Sequence, residues 1–120
     1  MSLITNFKDL YAWKEAHNLV LMIYKVTNNF PSKEKFSLID QMRRACVSIS
    51  SNIAEGFTRL GRKEKIQFYY MAKSSLTELQ NQNQIAHDVG YVKIDEYMEL
   101  ETQVVKVGKL ITGLIKSIRR

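Results

Sequence analysis

The chain has 120 residues, a formal net charge of +6 at pH 7 and one cysteine. This length predicts one domain that buries roughly two-thirds of its unfolded surface. Five Gly and one Pro are too few for a sandwich or barrel, which needs many tight turns. No apolar run approaches the roughly 20 residues that cross a bilayer. The amino terminus lacks a basic region followed by an apolar stretch, so we expect a cytoplasmic protein that does not bind membranes.

The first half of the chain predicts two helices. The first runs from about Asp9 to Asn28 and ends at Phe30-Pro31, because the residue before proline disfavours the helical conformation. The second starts near Ser37, where Ser37 and Asp40 resemble a capping box, and runs to about Arg59.

The second half predicts two more helices. The third starts near Arg62 and stops at Gly90, a residue suited to the left-handed conformation that ends helices. The fourth opens on an acidic run at Asp95 and closes on bases up to Arg120, which complements the helix dipole. Short connections between long helices favour antiparallel neighbours. We therefore predict an all-α fold, an up-down-up-down antiparallel four-helix bundle, as one domain over residues 1–120.

The second predicted helix carries more than one apolar side. At about 100° per residue its core side comprises Leu38, Met42, Ile49, Ile53 and Leu60, with Ala45, Cys46 and Gly56 beside them. A polar side lies opposite, and between the two runs a third stripe: Arg43, Val47, Ser50, Ala54 and Phe57. We interpret the third stripe as an oligomer interface. Arg43 within it is expected to pair with a carboxylate or carbonyl of a neighbouring helix or subunit rather than with a ligand.

The predicted topology sorts the charges between the two ends of the bundle. One end, the basic pole, gathers Lys8, Arg59, Arg62, Lys63, Lys65, Lys116, Arg119 and Arg120 against Asp9, Glu55 and Glu64. The other end, the far pole, has more acids than bases. A patch like the basic pole can neutralise the phosphates of a nucleic acid without preference for its base sequence. The alternative is that Lys116, Arg119 and Arg120 only cap the fourth helix and that the other bases are solvated surface. The sequence leaves both interpretations open.

No pattern in the sequence indicates an enzyme, a cofactor or a metal. Cys46 lies at the margin of the core side and is interpreted as a small buried hydrophobe. His17 and His87 have no Glu three positions before them, so the Glu-x-x-His motif of di-iron bundles is absent. No phosphate loop or Ser-His-Asp set can be assembled.

The chain also resembles a known family along nearly its whole length. The resemblance rests on Trp13, Ala16, Phe30-Pro31, Glu34-Lys35-Phe36, Leu38, Gln41, Arg43-Arg44-Ala45, Ser48-Ile49, Asn52-Ile53-Ala54-Glu55-Gly56, Ser75-Leu76, Glu78-Leu79, Ala86 and Gly90-Tyr91. These residues are similar to those of bacterial four-helix-bundle proteins encoded in intervening sequences of large-subunit ribosomal RNA genes. Two positions depart from the pattern: Ser74 stands where Gly is usual, and Asn83 stands where an apolar residue is usual. Asn83 falls on the core side of the third helix and therefore needs a buried partner.

This resemblance implies a homopentamer. It also implies a fold similar to that of the accessory variability proteins of diversity-generating retroelements, which are basic pentamers that bind nucleic acid. The sequence hypothesis is accordingly a non-enzymatic homo-oligomer that binds RNA or DNA, above all structured RNA, through the basic pole. The alternative is a scaffold module that recruits a protein partner, with its basic charge serving only solubility.

Overall fold

The structure is a computed structural model that describes residues 4–119. These residues form four long helices and two short 3-10 turns. The helices are α1 (Tyr11–Thr27), α2 (Leu38–Thr58), α3 (Arg62–Asp88) and α4 (Ile94–Arg119). The 3-10 turns are Phe7–Asp9 before α1 and Ser32–Glu34 before α2. Each helix packs on its chain neighbours, and α4 returns to pack on α1. No strand occurs in residues 4–119, and the predicted all-α, up-down-up-down bundle is confirmed.

Leucine, isoleucine and valine from all four helices form one core. The predicted core side of α2 is buried at Met42, Ala45, Cys46, Ile49, Ile53 and Gly56. The placement of Leu60 on that side was wrong, because α2 ends at Thr58 and leaves Leu60 in the turn with 99% of its surface exposed. No helix within residues 4–119 has both the length and the apolar character required to cross a membrane.

The α2–α3 pair is the most extensive helix contact in the bundle, and Gly56 lies within it. A Cβ atom at Gly56 would stand 2.7 Å from Cε1 of Tyr69 and 3.1 Å from Cβ of Phe68. Tyr69 is only 2% exposed, so a shift of its ring would have to displace other core side chains. The absence of a side chain at position 56 therefore sets how closely the two helices approach.

The start of α2 is stabilised by Glu34, and the predicted capping box of Ser37 and Asp40 is wrong. The Ser37 hydroxyl donates to the Glu34 carboxylate instead of accepting from the helix, and the Leu38 N–H lies 3.4 Å from the same oxygen. The Tyr91 hydroxyl donates to the other Glu34 oxygen at 2.9 Å. These hydrogen bonds hold the pKa of Glu34 below its ordinary value, and the bond from Ser37 has the largest effect. Glu34 thereby joins the α1–α2 and α3–α4 connections.

The end of α3 follows the predicted stop. Gly90 adopts a φ of 89°, and the Tyr91 N–H returns to the Ala86 carbonyl at 2.9 Å. About two turns before Gly90, Asn83 is 1% exposed and its Nδ2 donates to Glu101 at 3.3 Å. The Asn83 Oδ1 is buried and has no hydrogen-bond partner among residues 4–119. The predicted need for a buried partner is therefore met for the amide nitrogen only.

Candidate nucleic-acid interface

The alternating helices bring four chain segments to one end of a bundle that is 47 Å long. These segments are the first 3-10 turn, the end of α2, the start of α3 and the end of α4. Direct contacts join them: the Lys65 ammonium on α3 donates to the Phe57 carbonyl on α2 at 2.7 Å, and Arg119 on α4 donates to the Tyr70 hydroxyl on α3 at 2.6 Å. The predicted residues of the basic pole thus share one end, except Arg120, which lies outside the described residues.

Three bases of the pole hold helix ends in place. Arg59 donates to Glu55 at 2.9 Å, and its guanidinium carbon lies 4.6 Å from the centre of the Phe68 ring. Lys65 donates to the Phe57 and Gly56 carbonyls in the last turn of α2, where carbonyls begin to lack partners within the helix. Arg119 donates to Tyr70 and lies over its ring. These side chains stabilise the pole, which leaves them less free to bind a ligand.

Three other bases of the pole point to solvent. Lys8, Lys63 and Lys116 are exposed, and none of their ammonium groups has a hydrogen-bond or ion-pair partner among residues 4–119. Arg62 is exposed at the same end. An anion that approaches this end therefore meets several cations, and three of these have no competing carboxylate among the described residues.

The opposite end of the bundle is close to neutral, because three bases beyond the predicted set also lie there. Its acids are Glu34, Asp40, Asp88, Asp95, Glu96 and Glu99, and its bases are Lys25, Lys33, Lys35, Arg43, Arg44 and Lys93. Arg43 donates to Asn28 and Arg44 pairs with Asp40, which places both guanidinium groups at the far pole. The bundle therefore carries an electric asymmetry along its long axis, which orients an approaching polyanion towards the basic pole.

The third stripe of α2 makes contacts within its own chain. The Nε of Arg43 donates to Oγ1 of Thr27 at 2.9 Å, and its Nη2 donates to Oδ1 of Asn28 at 3.0 Å. The guanidinium carbon lies 4.4 Å from the centre of the Tyr24 ring. Arg43 is thus a link between α2 and the end of α1, in agreement with its expected pairing with a neighbouring helix.

The rest of the stripe differs in exposure from one residue to the next. Ser50 is half-buried and donates to the Val47 carbonyl, and Phe57 is half-buried beneath Lys65. Ala54 lines a shallow groove together with Phe7 of the first 3-10 turn. Val47 is the most open member, with 41% of its surface exposed. Contacts within the chain therefore account for much of this stripe, and Val47 marks the part that remains uncovered.

Apolar side chains on either side of Val47 extend the uncovered part into a wider surface. A groove between α1 and α2 is lined by Tyr24, Arg43, Val47 and Ser48, and a groove of about 600 Å³ between α2 and α3 is lined by Ser48, Tyr70 and Met71 among others. The two grooves meet at Ser48. We call Tyr24, Val47, Ser48, Tyr70 and Met71 the outer face. Only Val47 of this set was predictable as an interface residue, because Tyr24, Tyr70 and Met71 come from α1 and α3, whose facing depends on tertiary packing, and Ser48 borders the polar side of α2.

The binding residues predicted from the sequence also left out two lysines that lie outside the basic pole. Lys73 and Lys109 line a groove between α3 and α4 that also includes Lys116. Lys109 and Lys116 are seven residues apart on α4, and this spacing was the available signal that they share a helix side. The position of Lys73 beside them depends on how α3 packs on α4.

The side chains of the cysteine and the two histidines are held by structural contacts. Cys46 is fully buried, and burial raises the pKa of its thiol to about 11, so the thiol stays protonated at neutral pH. His17 stacks on Trp13 with ring centroids 4.8 Å apart, and His87 Nδ1 lies 2.8 Å from the Val92 carbonyl. Within residues 4–119, no group of three or more His, Cys, Asp or Glu side chains is placed to hold a metal ion.

Comparison with known proteins agrees with this architecture. The crystal structure of a protein of unknown function from the S23 ribosomal protein family of Bacteroides thetaiotaomicron VPI-5482 superposes with a TM-score of 0.81 at 19% sequence identity, covering 88% of this chain and 98% of that one. Similarity at this level of identity establishes the shared fold. None of the curated proteins matches the chain. The family profile described as 23S rRNA-intervening sequence protein matches residues 8–113, and the chain therefore belongs to that family.

Proposed function

We propose that the protein is a non-enzymatic homo-oligomer that binds nucleic acid, above all structured RNA, through its basic pole. The observation that carries the proposal is the exposure of Lys8, Lys63 and Lys116 at one end of the bundle, where bases outnumber acids and these three ammonium groups have no partners among residues 4–119. Lysines in such a patch attract phosphates and release their counterions. This mode of binding needs neither a deep pocket nor an activated side chain.

Self-association is the second part of the proposal. The outer face exposes 41% of Val47, 41% of Tyr24 and 51% of Met71 on adjoining grooves, and contiguous exposed apolar surface is typical of protein interfaces. The resemblance described above implies five copies. In a ring of parallel subunits all basic poles would face the same way, and the cationic surface would grow with the number of subunits.

Filter binding of a structured RNA and a duplex DNA across a salt series tests the nucleic-acid part. We expect binding that is micromolar or tighter at low salt and that weakens steeply as salt rises. The triple variant Lys8→Gln, Lys63→Gln, Lys116→Gln should reduce the slope of log K against log salt by about 2–3, the value for three lost phosphate contacts. The matched control is the far-pole triple Lys33→Gln, Lys35→Gln, Lys93→Gln, which removes the same charge and should leave the slope unchanged.

Absence of binding at low salt would reject the nucleic-acid function. A protein partner recovered after nuclease treatment would then favour the scaffold alternative, with the outer face as its docking surface. Equal slope changes in the two triple variants would show that net charge, rather than the basic pole, drives binding.

Light scattering coupled to size exclusion tests the oligomer. We expect a mass near five times the 14.0 kDa protomer at micromolar concentration. Val47→Glu should produce smaller species with unchanged helical circular dichroism, because Val47 is exposed and its replacement leaves the core intact. Phe57 is less suitable, since it packs beneath Lys65 at the end of α2. Gln41→Glu, an exposed α2 change of equal charge, should keep the wild-type mass. A monomeric wild type would reject self-association.

A further inference from the structure

A groove between α3 and α4 carries a row of lysines away from the basic pole. It has a volume of about 450 Å³, and its cationic lining residues are Lys73 on α3 with Lys109 and Lys116 on α4. Lys116 belongs to the basic pole, whereas Lys73 and Lys109 lie further along the bundle. None of the three ammonium groups has a hydrogen-bond or ion-pair partner among residues 4–119. The groove therefore continues the positive charge of the pole along the side of the molecule.

The floor of this groove leaves room for a ligand to approach the α4 backbone closely. Its other lining residues are Val105, Gly108, Thr112 and Gly113. A Cβ atom at Gly113 would meet nothing within 4 Å, so no neighbouring side chain closes that point. The Thr112 hydroxyl lies between the two α4 lysines and has no hydrogen-bond partner among the described residues, so it is available as a donor.

Acidic residues are kept out of the groove by the arrangement of α4. The acids of this helix all lie in its first third, up to Glu101, and residues 102–119 contain none. Glu101 accepts hydrogen bonds from Gln80 and Asn83, so its charge is engaged just before the groove begins at Val105. No carboxylate lines the groove within residues 4–119. A polyanion in this groove would meet cations and a hydroxyl, without repulsion from a lining carboxylate.

The dimensions suit a run of phosphates. From Val105 to Lys116 the helix advances about 16 Å, and Lys109 and Lys116 are about 10 Å apart along the axis. Successive phosphates of one strand are about twice as far apart along the backbone as the 3.4 Å axial rise of a duplex, so the groove length corresponds to about two or three phosphate steps. A single small anion could contact only one end of such a row.

We infer that the α3–α4 groove is a track for the phosphodiester backbone, with Lys73, Lys109 and Lys116 as its phosphate contacts, and that bound nucleic acid leaves the basic pole parallel to the helices. This inference rests on the proposed function and adds a path to it. Lys73 and Lys109 become binding residues that the basic pole does not include.

The salt dependence of RNA binding tests the track. The double variant Lys73→Gln, Lys109→Gln removes two contacts without altering the pole, and it should lower the salt slope by about 1.4–1.8 for two phosphates. The matched control Lys33→Gln, Lys93→Gln at the far pole should keep the wild-type slope. A groove variant that binds as the control does would overturn the track while the nucleic-acid function stands. A wild type that does not bind would instead reject the proposed function, and the track with it.

Protection of lysines from acetylation gives a second readout that no folding defect can imitate. In the wild-type protein, bound RNA hairpin should protect Lys73 and Lys109 from an amine-acetylating reagent, as read by mass spectrometry, while Lys33 and Lys93 stay reactive. Inorganic phosphate at the same total phosphate concentration should protect neither pair. Protection by phosphate alone, or equal reactivity of Lys73 and Lys33 in the RNA complex, would overturn the track.

Discussion

Arg43 and Thr27 are sixteen residues apart in sequence and joined by a hydrogen bond of 2.9 Å from the guanidinium Nε to the threonine hydroxyl. Thr27 is 1% exposed, and its hydroxyl donates a hydrogen bond to the Ile23 carbonyl at 2.7 Å. The pair therefore continues the hydrogen bonding of α1 into the side of α2. It places Arg43 in the framework of the bundle, at the point where the third stripe meets the end of α1.

Arg43→Ala should destabilise the bundle. Its hydrogen bonds come from a charged donor, and we expect the free energy of unfolding in urea to fall by about 2 kcal/mol. Arg43→Lys should recover only part of this loss, because an ammonium group lacks the planar fork. Arg44→Ala is the matched control, since the exposed Arg44–Asp40 pair should contribute less than about 0.5 kcal/mol. Equal losses in the two alanine variants would contradict the framework role.

Gly56→Ala should destabilise the α2–α3 contact. The new methyl group would overlap the Tyr69 ring, and overpacking of this kind costs about 1–3 kcal/mol, which exceeds the gain in helix propensity. Gly113→Ala in α4 has open space around it and should instead raise the free energy of unfolding by about 0.5–1 kcal/mol. Urea unfolding of both variants measures the difference, and a shared sign would contradict the argument from close approach.

Asn83→Leu should stabilise the protein. The buried Oδ1 has no hydrogen-bond partner among the described residues, and we expect its removal to raise the free energy of unfolding by about 1 kcal/mol. Glu101 keeps its hydrogen bond from Gln80 in this variant. Asn81→Leu, an exposed change on the same helix, controls for propensity and should stay within about 0.5 kcal/mol of the wild type. A loss of stability at position 83 would contradict the argument from the unpartnered oxygen.

Cys46 should make stability depend on alkaline pH. Burial raises the pKa of its thiol from 9.0 to about 11 in the folded protein, so its contribution is complete below pH 9 and is lost as pH rises towards 11. By pH 10 the loss should be about 1.4 kcal/mol, one pKa unit of difference between the states. Cys46→Ala removes the titrating group. The difference in free energy of unfolding between the wild type and this variant should therefore shrink by this amount from pH 8 to pH 10. A constant gap would contradict the burial effect.

The helices were predictable because hydrophobic spacing and terminating residues act within one segment. The Phe30-Pro31 stop and the Gly90 stop both lie where the sequence predicted them, and the buried side of α2 follows from its 100° periodicity. The errors came at helix ends, where a longer-range partner competes with the local one. Ser37 donates to Glu34 rather than capping α2, and Leu60 falls beyond the last turn of α2, where periodicity no longer applies.

The sequence by itself determined the four helices, their antiparallel order and the gathering of bases at one end, because each follows from spacing along the chain and from short connections. Only the tertiary structure decided which of those charges are engaged. Lys65 and Arg59 stabilise helix ends, while Lys8 and Lys63 stay open to a ligand. It also decided that Lys73 lies beside Lys109 and that Met71 extends the surface around Val47. Such pairings depend on the rotation of one packed helix against another, and this rotation is set by side-chain packing across the core rather than by either helix alone.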